Sequence, residues 1–134
     1  FRNVTGVQTC ALPIFKDLYP QQNPDKINVK ELKERFLVTI ALEAARVMEE
    51  GIVTDPREAD VGSILAFGFA PYTGGTLSYI DGMGAKKFVK LAKDLQRKYG
   101  QQFKSPKLLI DMAENGESFY QRFNPYKTET KKAA

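Results

Sequence analysis

Histidine and tryptophan are absent from this 134-residue chain, and cysteine occurs once. Without histidine these residues supply no Ser–His or Cys–His nucleophile, no imidazole general base and no His-ligated zinc. One cysteine can close no internal disulfide and form no four-cysteine metal site. Chemistry carried by this chain alone would have to rest on carboxylates, lysines and tyrosines. Long apolar runs are missing too. The most apolar stretch, residues 61–70, is ten residues long, where about twenty are needed to cross a bilayer. What is present, 43% hydrophobic and 27% charged residues, is ordinary globular composition and disfavours disordered, collagen-like and disulfide-scaffold classes. The length favours one domain with a real core.

Residues 4–14 read VTGVQTCALPI, without charge and without a two-residue or 3.6-residue period. They are too short and wrongly flanked for a signal peptide. The stretch resembles, residue for residue, the translation of a high-throughput sequencing adapter; a native terminal segment is the alternative. Residues 1–14 are therefore set aside, and with them Cys10 and the Asn3-Val4-Thr5 sequon. The gene is expected to begin further upstream. The net charge of +4 lies mostly at the ends: without Arg2 and the tail from Lys127 it falls to about +1. One basic helix remains, with Lys86, Lys87, Lys90, Lys93, Arg97 and Lys98 opposed by Asp94. Such a face can bind phosphates or membrane surfaces, but the ordinary solvated side of a helix is the preferred reading.

Residues 15–27 read as an extended, proline-punctuated linker. Asn28 with Glu31 three residues on has capping-box spacing. Leu32, Phe36, Ile40, Ala44 and Val47 then recur at steps of four and three, with Leu37, Ala41 and Met48 widening the stripe. Gly51 supplies the stop, giving a helix of about twenty residues. Glu49 and Glu50 stand in its last turn, where they oppose the helix dipole, so packing is expected to hold that end. Asp55-Pro56-Arg57-Glu58 starts a second helix that ends near Gly68, and the short linker predicts that it packs back on the first. A short helical turn over residues 76–81, a helix over 85–99 and another from Ser105-Pro106 to Asn115-Gly116 follow. Residues 85–99 carry Phe88, Leu91, Ala92, Leu95 and Tyr99 on one face. Phe119-Tyr120 reads as a short aromatic tail, and residues 122–134 as a polar one. No strand pattern occurs, so the expectation is an all-α domain of about five helices over residues 28–121.

Glycines and a proline crowd residues 68–84: Gly68, Pro71, Gly74, Gly75, Gly82 and Gly84. Such density signals demanding backbone geometry. No Gly-Lys-Ser/Thr occurs, and Gly82-x-Gly84 neither follows a strand nor completes G-x-G-x-x-G, so tight helix–helix turns are preferred to a phosphate cradle. The candidate structural residues of this loop are Gly68, Pro71, Tyr72, Gly74, Gly75, Asp81 and Gly84. Asp60, Asp81 and Asp111 lie near glycine turns, but none has an acid–base partner at a diagnostic spacing. Asp81 is read as a cap for the helix that begins near Gly84. Tyr72 and Tyr79 could donate to a substrate or simply anchor the loop.

Arg35-Phe36-Leu37, Glu43-Ala44, the Glu49-Glu50-Gly51-Ile52 exit and Glu58-Ala59-Asp60 precede Gly68-Phe69-Ala70-Pro71-Tyr72-Thr73-Gly74-Gly75 and Tyr79-Ile80-Asp81-x-x-Gly84. In this order they resemble the C-terminal helical domain of the 3-hydroxyacyl-CoA dehydrogenase family over about residues 30–120. The resemblance is to the second copy of that domain in multifunctional fatty-acid β-oxidation α subunits, which join an enoyl-CoA hydratase/isomerase to a dehydrogenase. The Phe119-Tyr120 ending is similar as well. One position departs: Glu34 stands before Arg35, where the catalytic copy has asparagine.

The resemblance implies that the catalytic histidine, its glutamate and the glycine-rich dinucleotide loop lie in an NAD-binding domain upstream of residue 15. No catalytic, cofactor-binding or metal-binding residue is therefore carried over. NAD belongs to the parent enzyme, and this piece is expected to bind no cofactor and to be inactive alone. Implied partners are an upstream helical copy and the NAD-binding domain of the same chain, acyl-CoA as the parent's substrate, and a thiolase subunit as a further candidate. Nucleic acid and a transmembrane segment are not expected. The cytoplasm of a bacterium is the expected location, with an organelle as the alternative. Cut from its partner, the domain should expose an apolar patch to which Phe67, Phe69, Tyr72, Leu77, Tyr79 and Ile80 contribute. Two other readings stay open: a freestanding helical interaction module using the basic face, and a small enzyme using Tyr and Asp in the glycine loop.

Overall fold

The computed structural model describes residues 27–124; the adapter-like stretch, the linker up to residue 26 and the tail from residue 125 lie outside them. The chain divides into two compact units, Phe1–Leu32 and Lys33–Ala134. Of the first, the described residues form the opening turn of a helix in which the Glu31 amide donates to Asn28 Oδ1 at 3.2 Å. The described residues are all-helical: α1 (Val29–Glu49), α2 (Pro56–Phe67), α3 (Thr76–Met83), α4 (Ala85–Tyr99), α5 (Lys107–Asn115) and α6 (Phe119–Arg122), with single 3-10 turns at Pro71–Thr73 and Gln101–Phe103. The sixth helix is the segment that reads as an aromatic tail. Its amphipathic signal is one turn long, too short to register as a period.

Local rules account for most boundaries. Gly51 (φ +70°) closes α1, with the Ile52 amide donating to the Val47 carbonyl and the Gly51 amide to that of Met48, a Schellman ending. Asp55 caps α2 by accepting from the Arg57 amide at 2.9 Å, with Pro56 in the first turn. Glu49 stands in the last turn of α1, where it opposes the dipole, and its carboxylate accepts from the Leu108 amide at 2.7 Å. The glutamate that burdens one helix end thus caps the start of α5, where Pro106 provides no side-chain cap.

One core joins these elements. Val38, Leu42, Leu77, Ile80, Phe88 and Leu109 are fully buried, with Met112 and Phe119 beside them. Helix α4 buries Phe88, Ala92 and Leu95, the face its spacing predicts, and its lysines lie in solvent. Helix α1 differs from its pattern. Its deepest residues are Val38, Ala41, Leu42, Ala45 and Met48, whereas Phe36 is 64% exposed and Ile40, Ala44 and Val47 are only half-buried. The helix is apolar on two adjoining faces, and a periodicity count cannot say which of them the chain itself covers. Nor does α2 close tightly on α1 as the short linker predicts; an apolar groove of about 610 Å³ separates them.

Candidate functional site

Two features stand out, one polar and dry, the other apolar and open. The first is built around Asp60. In the second turn of α2 its carboxylate is buried at 2% exposure. It accepts from the Leu77 amide at 2.7 Å, the Ser78 amide at 3.0 Å, the Ser78 hydroxyl at 2.6 Å and the Tyr120 hydroxyl at 2.8 Å. The two amides belong to the first turn of α3, whose own N-cap residue, Gly75, has no side chain to offer. Asp60 is therefore an N-cap supplied from another helix, and the α3 dipole favours its negative charge.

The glycine loop exists to let that carboxylate in. A Cβ on Gly75 (φ +123°) would stand 2.4 Å from Asp60 Cβ and 2.6 Å from Asp60 Cα, so only glycine fits. Gly68 ends α2 in the left-handed region at φ +69°, and Gly74 does the same for the Pro71–Thr73 turn at φ +81°. The Thr73 hydroxyl donates to the Ala70 carbonyl at 2.7 Å and accepts from the Gly75 amide at 3.3 Å, which holds the loop. Gly84 ends α3, its amide bonded to Ile80 and Asp81 carbonyls. Tyr72 projects outward at 85% exposure.

Asp81 does not cap the helix that begins after Gly84. Its side chain accepts from the Phe119 amide at 2.9 Å and the Tyr120 amide at 3.2 Å, holding the start of α6. Partial burial raises its pKa above the ordinary carboxylate value, the two amides pull it back, and the nearby Asp60 charge raises it again. Tyr120 is raised chiefly by desolvation, as is Tyr79, which packs edge-on against Phe69 and Phe88. Asp111 is exposed and pairs with Arg122 at 2.5 Å. All three candidate aspartates thus act as acceptors for backbone amides or an arginine, and no acid–base pair is assembled from them. Among the described residues no three carboxylates or cysteines converge as a metal site. Sequence reasoning missed Ser78 and Tyr120 as partners of Asp60, because the contacts span 18 and 60 residues. The Gly74-Gly75 pair was the available signal of a close approach.

The second feature is the groove between α1 and α2. Ile40, Ala44 and Val47 form one wall, and Ala59, Gly62, Ala66 and Phe67 the other, with Val53 and Thr76 completing the lining. Exposed Val61 and Leu65 adjoin it on α2, and Phe36 is exposed on α1. The expected apolar patch is corrected accordingly. Phe67 and Tyr72 are exposed, but Phe69, Leu77 and Ile80 are buried within this chain and Tyr79 is half-buried. Leu77 and Ile80 turn inward because the Asp60 cap fixes α3 with that face on the core.

No family model matches the chain. Over 90 residues it is 44% identical to the fatty acid oxidation complex subunit alpha of Shewanella amazonensis and 42% identical to that of Shewanella loihica, each alignment covering 67% of this chain and 13% of the relative. The subunit alpha of Shewanella putrefaciens is 39% identical over 101 residues, 75% of this chain and 14% of the relative. The chain thus spans 13–14% of the length of the curated relatives it matches, as a piece of a larger protein would. This similarity supports a fatty-acid oxidation α subunit as the kind of protein to which the piece corresponds. No helix among the described residues is long and apolar enough to cross a membrane.

Proposed function

We propose that this chain is a non-catalytic support domain of a β-oxidation enzyme, a 3-hydroxyacyl-CoA dehydrogenase fused to an enoyl-CoA hydratase. In the parent, hydride passes from the 3-hydroxyl carbon of an acyl-CoA to NAD, and an upstream histidine takes the hydroxyl proton. This domain contributes no reacting group. It pairs with an upstream helical copy as a pseudo-dimer and so buttresses the dehydrogenase cleft. The observation that supports the reading most is the use made of the carboxylates: Asp60 and Asp81 hold helix ends, and neither faces an open pocket with a free partner. The similarity to fatty acid oxidation α subunits gives the class of parent.

The test is the gene upstream. A strand–turn–helix carrying G-x-G-x-x-G should be encoded a few hundred residues before this segment, given ordinary domain sizes. An unrelated reading frame there would sink the proposal. The purified chain should produce no NADH from a 3-hydroxyacyl-CoA, and turnover by the chain alone would contradict the support role.

A further inference from the structure

Asn115-Gly116 is the one Asn-Gly pair in the sequence, and it forms the end of α5. Asn115 is the last helical residue and is exposed. Gly116 turns the chain away at φ +69°, and its amide donates to the Met112 carbonyl, which also accepts from the Glu117 amide at 3.0 Å. An asparagine before glycine is chemically labile, because the next backbone nitrogen has no side chain to keep it from the asparagine Cγ. Here that nitrogen is engaged in the helix cap, and Asn115 Nδ2 donates to Asp111 Oδ1 at 3.2 Å. Both holds lie at an exposed helix end, the part of a helix that frays first. The other described asparagines lack these conditions. Asn124 precedes Pro125, whose nitrogen carries no hydrogen. Asn28 precedes the β-branched Val29, and its Oδ1 is held by the Glu31 amide.

We propose that Asn115 is a site of spontaneous deamidation, reached when the α5 cap frays, and that the reaction then holds the cap open. In the opened turn the Gly116 backbone nitrogen attacks Asn115 Cγ. The N–Cγ bond forms, the Cγ–Nδ2 bond breaks, and the backbone amide proton leaves with the side-chain nitrogen as ammonia. Water then opens the succinimide at either carbonyl and leaves an aspartate or an isoaspartate; water is the one co-reactant. The surroundings make this product unfavourable. A carboxylate at position 115 cannot donate to Asp111, places a like charge one turn from it, and opposes the dipole at the helix C-terminus. Arg122, bound to Asp111 at 2.5 Å and to Glu117 at 3.0 Å, would be drawn between three carboxylates instead of two. The isoaspartate form also adds a methylene to the backbone where the Glu117 amide must return to the Met112 carbonyl. Because Arg122 belongs to α6, a loosened end of α5 slackens the tie between these two helices.

Incubation of the purified chain in mildly alkaline buffer, followed by peptide mass spectrometry, tests the proposal. The tryptic peptide 108–122 should gain the mass that comes with exchange of NH₂ for OH and should split into aspartyl and isoaspartyl forms. The peptides carrying Asn28 and Asn124 should not change. Conversion should be slower in the native chain than in urea by about tenfold or more, the protection that the closed cap provides. Asp111→Ala, which frees Asn115 Nδ2, should raise the native rate about threefold and leave the rate in urea unchanged. Asn115→Asp should favour unfolding about threefold and speed hydrogen exchange at the Gly116 and Glu117 amides. Asn115→Gln should neither convert nor change that exchange. Equal rates in buffer and urea overturn the proposal, as does a native chain that stays unconverted while the unfolded chain converts. So does an Asn115→Asp chain whose Gly116 and Glu117 amides exchange as in wild type, since the reaction would then leave the cap closed.

Discussion

The Asp60 centre and the α1–α2 face use the same helix in opposite ways. On one side of α2 a buried carboxylate meets four donors, and a glycine is kept because no other residue leaves room for it. On the other side apolar residues stand open, and a glycine is kept where the chain leaves ample space. The first region is complete within this chain. The second leaves apolar surface uncovered within this chain. Satisfied buried polar groups mark where a fold has finished its own work, and unexplained apolar surface marks where it has not.

The contrast can be broken most sharply at Asp60. Asp60→Ala removes the cap of α3 and strands the Leu77 and Ser78 amides and the Tyr120 hydroxyl. The expected loss is about 3 kcal/mol or more, a large share of a small domain's stability, measured by urea denaturation. A change below 1 kcal/mol would show that water replaces the carboxylate without difficulty. Gly75→Ala should follow at about 2–3 kcal/mol, from the positive φ and from overlap with Asp60. Pairing it with Asp60→Ala in a double-mutant cycle should recover part of that loss, since the colliding atoms are thinned. Full additivity would mean that the cost lies in the positive φ and in overlap with Asp60 Cα and Cβ, which alanine retains.

The smallest effect concerns Asp81. Its pKa is raised in the folded chain, so the fold takes up its proton before the unfolded chain does. Its contribution to stability therefore grows as pH falls from that raised value towards 3.8. Asp55 has the opposite sign: hydrogen bonds from Arg57 lower its pKa, and its contribution is lost as pH falls. Wild type should accordingly gain on Asp81→Asn as the pH falls towards 3.8. A difference that is flat with pH, in paired denaturation curves, would show that the amides of Phe119 and Tyr120 cancel the effect of burial.

Much of the fold was legible because it is local. The Asp55-Pro56 start, the Gly51 and Gly116 stops and the apolar face of α4 depend on residues within one or two turns of each other. Helix α6 escaped because a single turn shows no period. The roles of Glu49, Asp60 and Asp81 escaped for another reason. Each caps a helix 17 to 59 residues away in sequence, and a capping pattern is recognisable only when cap and helix are adjacent.

The sequence by itself determined the helical class, most helix boundaries, the lack of imidazole chemistry and the need for glycine in the loop. These follow from backbone geometry and composition, which act over a few residues. Only the tertiary structure decided which of two apolar faces of α1 is core, which helix each aspartate caps, and that α2 remains half uncovered. Those outcomes depend on which elements come to lie side by side, and an apolar stripe or a free carboxylate in a sequence carries no address for its partner.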